Sequence, residues 1–289
     1  MATSGFGADM IPIPQQAQRE LVEVCRRLHT RGLVAGTDGN VSIRLAKDRI
    51  LCTPTGMSKG FLKPEDLVVC DMQGQRVSGK RRPTTEIKIH LTAYEQRSDT
   101  CAVVHAHPPH ATAFAVAHKT LDERLMPEAY IAVGKVALTP YGTPSTAELE
   151  DSIRPAIAKH EAILLANHGA MTLGKNVLEA YHRMEALEQL AHISTLTQIL
   201  GNAAPLTSEQ MARLEAIRGV YGETVTNTPC YHCGWSPEKP SGSTVPSPEG
   251  RLSLGEKRSL GANRKDDFSL EELRLLARKS LSAIRESRD

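Results

Sequence analysis

The sequence predicts a mixed α/β chain. Short apolar runs, such as Cys101–Val104, which ends in two histidines and a Pro-Pro pair, and Ala162–Ala166, read as buried strands. Between them lie stretches with helical spacing: Leu21, Val22, Cys25 and Leu28 share one face, as do Tyr181, Met184, Leu187 and Ala191. The two kinds of segment follow one another along the chain. With 289 residues, the chain can bury a sizeable core as one large domain or two small ones.

In order, Pro12 and Pro14 precede the first helix and Gly32 closes it. Gly36-Thr37-Asp38-Gly39-Asn40 is a turn-rich loop leading into strand Val41–Arg44. Strand Ile50–Cys52 runs into a second Gly/Thr loop, residues 53–60. Such loops present backbone N–H groups and hydroxyls that can hold an anion, and they equally serve as ordinary turns. Leu67–Cys70 is another strand, with Gly74 as its turn. Thr84-Thr85-Glu86 opens a helix through Tyr94, with threonine as cap and an acid in the first turn. That helix start, with its hydroxyls and free N–H groups, also suits a phosphate. His110 to His118 reads as a short helix, and alternating segments lead through Tyr130–Val133 and Val136–Leu138 to a helix from Thr146. Strand Ala162–Ala166 ends in Asn167-His168-Gly169, a long helix runs from Val177 to about Leu200, and Thr207-Ser208 starts another that ends near Tyr221.

The three expected regions are a body over 1–228, a Pro/Ser/Gly-rich linker over 229–266 and an amphipathic helix over 267–289. The last opens on a Ser269/Glu272 capping box and carries the stripe Leu270, Leu273, Ala277, Leu281, Ile284. Cys230-Tyr-His232-Cys233 has no second Cys/His pair after it, so it is a poor structural zinc site. Lys and Arg number 35 against 33 Asp and Glu, which gives no reason to expect nucleic acid or an acidic membrane as partner. Neither a leader-like N-terminus nor a membrane-length apolar run is evident, so a cytoplasmic protein is the expectation. Cys25, Cys52, Cys70 and Cys101 sit in apolar segments, like reduced core residues.

The chemistry concentrates where the central strand ends, at His105-Ala-His107-Pro-Pro. Residues two apart on a strand face the same way, with Cα atoms roughly 6–7 Å apart, which lets two imidazoles converge on one metal ion. Two histidines meeting solvent at a strand end remain the plainer alternative. His168, between a strand end and a Gly turn, repeats the situation.

Together, Gly39-Asn40-Val-Ser42, Thr53-Pro-Thr55-Gly56, Thr84-Thr85-Glu86, His105-Ala-His107-Pro and Asn167-His168-Gly169 resemble the class II aldolase/adducin family, over the stretch from about Pro14 to Tyr221. The resemblance implies a single three-layer α/β domain, a mostly antiparallel central sheet covered by helices, assembled as a homotetramer. It implies that His105, His107 and His168 hold zinc, with manganese or cobalt as substitutes, and that Glu86 is the general acid/base. Asn40, Thr55, Gly56, Thr84 and Thr85 would take the substrate phosphate. Tyr130 or Tyr221 would donate a proton to the leaving aldehyde from an adjacent subunit. Asp38 departs from the family, which has a serine there, and adds negative charge where an anion would bind. The implied activity is aldol cleavage of a small ketose phosphate of the L-fuculose 1-phosphate type. Alternatives on the same fold are a 4-epimerase, where aspartate replaces Glu86, a decarboxylase, a dehydratase, or a non-catalytic adducin-like scaffold.

Overall fold

The computed structural model describes residues 13–201 and 203–216. Helix α1 (Gln15–Thr30) follows Pro14 and buries Ala17, Leu21, Val24, Cys25 and Leu28, while Val22 is half-buried at the margin. The remaining helices are α2 (Ile87–Gln96), α3 (Pro109–Val116), α4 (Pro127–Val133), α5 (Ala147–Ile157) and α6 (Val177–Leu200). The strands are β1 (Asn40–Ala46), β2 (Arg49–Cys52), β3 (Val68–Cys70), β4 (Arg76–Ser78), β5 (Ala102–Ala106), β6 (Val136–Thr139), β7 (Ala162–Leu165) and β8 (Gly169–Gly174).

Among the described residues these strands form one sheet in the order β4-β3-β2-β1-β5-β8-β7-β6. Every pairing is antiparallel except β6 with β7, which α5 connects as a crossover. Strand alternation sorts the core into two layers. Ala102, Val104 and Ala106 of β5 join Val41, Ile43 and Leu45 of β1 against α1, α3, α4 and α6. Val103 faces the opposite way, into a second apolar layer with Ile87, Ile89, Leu91 and Tyr94 of α2 and Leu149, Ile153 and Ile157 of α5. Two helical layers around a largely antiparallel sheet result, and β5 lies at the centre. Cys25, Cys52, Cys70 and Cys101 are free and buried, as expected for reduced core residues.

The structure completes the sequence reading in one place and corrects it in another. Residues 130–133, which the sequence left without an assigned element, belong to α4, because Pro127 starts a helical turn that Gly134, at φ 68°, ends. The helix expected from Thr84 begins only at Ile87, with Glu86 in the cap position and making no side-chain cap. Residues 208–216 are helical, and Tyr221, Cys230, His232, Cys233, the linker over 229–266 and the helix over 267–289 lie outside the described residues. Among the described residues no helix is long and apolar enough to cross a membrane.

Leu164 is wholly buried on β7, between two paired strands. Truncation to alanine leaves a cavity that the sheet cannot collapse into, so Leu164→Ala is expected to lower unfolding free energy by about 2–5 kcal/mol. Urea denaturation should show a lower midpoint at unchanged slope.

Candidate metal centre

The last residues of β5 deliver His105, fully buried, and the chain then carries His107 just past the strand end. Pro108 and Pro109 turn the chain into α3. Glu188 of α6 clamps that turn by accepting hydrogen bonds from the backbone N–H groups of His110 (3.0 Å) and Ala111 (2.9 Å) and from His110 Nδ1 (2.8 Å). His168 arrives from the tight connection between β7 and β8. Asn167 takes a left-handed conformation there (φ 56°), held by a 2.6 Å hydrogen bond from His118 Nε2 to its side-chain oxygen. Ala106 pairs with Ala170 across β5 and β8, so the turn lies directly beside the end of β5. The three imidazole centroids are 4.8–5.1 Å apart, and one ligand atom from each ring lies within 4.8 Å of the others.

Two glycines make this approach possible. A Cβ on Gly169 would lie 2.5 Å from the His107 ring and 2.6 Å from the Ala106 carbonyl oxygen. Gly39 takes φ 71°, and a Cβ there would lie 2.8 Å from the carbonyl oxygen of His105.

Hydrogen bonding fixes which ring nitrogens are available. His105 Nδ1 donates to the Ala170 carbonyl at 2.9 Å, and His107 Nδ1 donates to Asp38 Oδ2 at 3.2 Å. In their neutral forms both rings therefore carry a lone pair on Nε2, and these two atoms lie 3.2 Å apart. Burial, with the charges of His105 and His168, pushes the His107 pKa down to about 4, so this ring is neutral near pH 7, as a ligand must be. Glu86 completes the group, with Oε2 3.4 Å from His105 Nε2 and Oε1 3.2 Å from His168 Nε2. Burial opposes its charge, but the imidazoles of His105 and His168 hold its carboxyl well below the usual carboxylate range. Among the described residues, Glu86 Oε1 and His168 Nδ1 are buried without a hydrogen-bond partner.

Facing lone pairs and a buried anion repel one another unless positive charge sits among them. Tetrahedral metal–nitrogen bonds of about 2.0–2.1 Å place nitrogens about 3.3 Å apart, so the donor set fits a divalent ion.

The loops expected to receive an anion do come together. Pro54 and Pro83 form a bridge, Thr55 N donates to the Arg82 carbonyl at 3.2 Å, and Thr84 N donates to the Thr53 carbonyl at 3.1 Å. Thr55 is half-buried, Gly56 and Thr85 are exposed, and Thr84 is buried along this strip. Asn40 is buried and donates through Nδ2 to Glu86 Oε2 at 3.0 Å. Asp38, the sequence's departure, turns its carboxylate to His107. Tyr130, half-buried on α4, donates its hydroxyl to the carboxylate of Glu215.

Sequence reasoning missed Lys59. Its side chain is buried, and Nζ donates to the carbonyls of Thr37 (2.7 Å) and Met57 (2.8 Å), tying the two Gly/Thr loops together. Burial lowers its pKa, against the pull of Cys25, Asp38 and Glu86. A lone cation inside an uncharged turn sequence was the available signal.

A largely antiparallel sheet that gathers three histidines and a carboxylate at one strand end defines an α/β protein with a candidate metal centre. The chain belongs to the class II aldolase/adducin family: residues 19–195 match the Class II Aldolase and Adducin N-terminal domain. It is 40% identical over 175 residues to an L-fuculose phosphate aldolase of Methanococcus maripaludis, an alignment covering 61% of this chain and 94% of the relative. It is 36% identical over 183 residues to a 3-oxo-tetronate 4-phosphate decarboxylase of Haemophilus influenzae, covering 61% and 86% respectively. A solved L-fuculose 1-phosphate aldolase superimposes with a TM-score of 0.66 at 30% identity, covering 73% of this chain and 98% of that one. Both activities named are lyase reactions.

Two outcomes are expected. Gly169→Ala displaces the His107 ring and should weaken zinc binding by about 10–100-fold, the scale of other perturbations just outside a metal's ligands, as read by competition with a chromophoric chelator. The depressed His107 pKa makes the folded metal-free protein bind fewer protons than the unfolded chain between about pH 4 and 6.5. Its contribution to stability is complete above that window and is lost as pH falls through it, so urea midpoints of metal-free protein should drop from pH 6.5 to 4.

Proposed function

We propose that the protein is a zinc-dependent aldolase that reversibly cleaves a small ketose phosphate of the L-fuculose 1-phosphate type to a dihydroxyacetone-phosphate-like ketone and an aldehyde. The observation that carries this reading is the Glu86 carboxylate, largely shielded from solvent and within 3.4 Å of two histidine Nε2 atoms. His105, His107 and His168 are the zinc ligands. The bound ion supplies positive charge to oxygens that become electron-rich as the carbon–carbon bond beside the carbonyl breaks.

The side chains have separate tasks. Glu86 returns a proton to the carbon left electron-rich by cleavage and removes it in the condensation direction; a positioned proton transfer of this kind contributes about 10²–10⁴-fold. Thr55, Gly56, Thr84 and Thr85, with Asn40 beside them, form the phosphate subsite, and the turn of Asp38 toward His107 keeps its charge occupied there. Tyr130 or Tyr221, from an adjacent subunit of a homotetramer, protonates the leaving aldehyde. The named activities of the relatives support a phosphorylated small sugar or sugar acid as substrate, and a cytoplasmic setting suits such a substrate.

Decarboxylation of a 3-oxo sugar acid phosphate is the second reading, favoured by the 36% identity to a decarboxylase. It needs the same electron-rich carbon and the same proton donor, and differs in the group that leaves.

Zinc-loaded protein given L-fuculose 1-phosphate is expected to release dihydroxyacetone phosphate. Release of carbon dioxide from 3-oxo-tetronate 4-phosphate without that cleavage would favour the second reading instead. Glu86→Gln should lower kcat by about 10²–10⁴-fold with zinc content unchanged; undiminished turnover would remove Glu86 from the role.

A further inference from the structure

Beneath α2 runs a buried chain of polar side chains, of which the proposed chemistry uses only Glu86 and Asn40. Asn40 Nδ2 lies 3.0 Å from Glu86 Oε2, Asn40 Oδ1 lies 2.5 Å from His90 Nε2, His90 Nδ1 lies 2.7 Å from Ser42 Oγ, and Ser42 Oγ lies 2.7 Å from the Tyr94 hydroxyl. Asn40, Ser42, His90 and Tyr94 are each no more than 3% exposed. Side-chain chemistry assigns every proton in this chain. An ionised carboxylate only accepts, so the Asn40 amide presents N–H to Glu86 and its oxygen to His90. That oxygen only accepts, so His90 carries its proton on Nε2. The neutral ring then accepts on Nδ1 from Ser42, and Ser42 accepts from Tyr94. Burial keeps His90 neutral, pushing its pKa down to about 3, with His105 adding to the fall and Glu86 opposing it.

The chain ends on a buried phenol whose ring lies against the Arg44 guanidinium, 4.8 Å from carbon to centroid. Passing a proton along it would leave a charge in a dry interior, so it holds a geometry and carries no current. We infer that His90, Ser42 and Tyr94 are positioning residues that act through Asn40: they lock the Asn40 amide so that it occupies Glu86 Oε2, leaving Oε1 as the oxygen that handles the substrate proton. Among the described residues Oε1 makes no hydrogen bond and faces the His168 ring, 3.2 Å from Nε2, on the histidine side of the carboxylate, which agrees with that assignment. This inference deepens the reading of Glu86 as the acid/base and rests on it.

Two measurements test it on the full-length, zinc-loaded protein. Ring nitrogen chemical shifts of ¹⁵N-histidine-labelled protein should show His90 neutral and protonated on Nε2 from about pH 6 to 8; a proton on Nδ1, or a cationic ring, overturns the inference whatever the enzyme's substrate. Exchange of the dihydroxyacetone phosphate carbon-bound proton with deuterated water then reads Glu86 directly. His90→Phe should lower kcat for exchange about 10–100-fold with KM and zinc content unchanged. His90→Gln, whose amide can donate to Asn40 and accept from Ser42, should recover most of it. Equal exchange by His90→Phe and the parent protein sinks the inference. Where His90→Phe fails to fold, Ser42→Ala replaces it and should show a smaller loss of the same kind; no loss counts against the inference. Unchanged exchange in Glu86→Gln would instead overturn the acid/base reading, and the tautomer measurement separates the two failures.

Discussion

Antiparallel pairing of β5 with β8 is the constraint on which the site depends. His105 and His107 belong to one strand end, but His168 is 61 positions further on than His107 and reaches them only because Ala106 is registered against Ala170. A slip of one residue would turn His105 into the opposite apolar layer and carry the β7–β8 turn away from it. Burial on both faces of β5 forbids that slip, so packing energy far from the chemistry fixes the distances within it.

The same pairing concentrates electrostatic tension. Two ring nitrogens 3.2 Å apart, beside a buried carboxylate oxygen that makes no hydrogen bond among the described residues, form an unfavourable cluster unless a cation sits among them. The surrounding polar groups do not relieve this by turning inward. Asp38 and the Ala170 carbonyl instead hold the outer nitrogens of His107 and His105, which aims both lone pairs at one point. A site arranged this way stores part of the fold's stability as affinity for a cation.

Much of this was legible in the sequence, where the physics is local. Period-two alternation placed His105 and His107 on one face, and uninterrupted helical spacing located α6 over Val177–Leu200. What escaped depends on long-range packing. By local signals alone Glu86 read as ordinary helix-start chemistry, because an acid after two threonines suits any N-terminus, and only the family resemblance singled it out; its side chain turns away to the histidines. His90 interrupts the apolar run Ile87, Ile89, Leu91 without any local sign that its partners lie on β1. Lys59, inside a Gly/Thr turn, gave no local sign of its burial. Tyr130–Val133 was ambiguous because four apolar-rich residues fit either strand or helix.

The Asn167 turn, the end of β5 and the start of α2 are all anchored in the sheet or against it, whereas the strips 53–56 and 82–85 lie at its rim. Glu86 joins the two, following directly on Thr84 and Thr85. A substitution in either strip can therefore shift the carboxylate without touching the strands that fix the histidines, which gives the loops a mechanical route to the cluster.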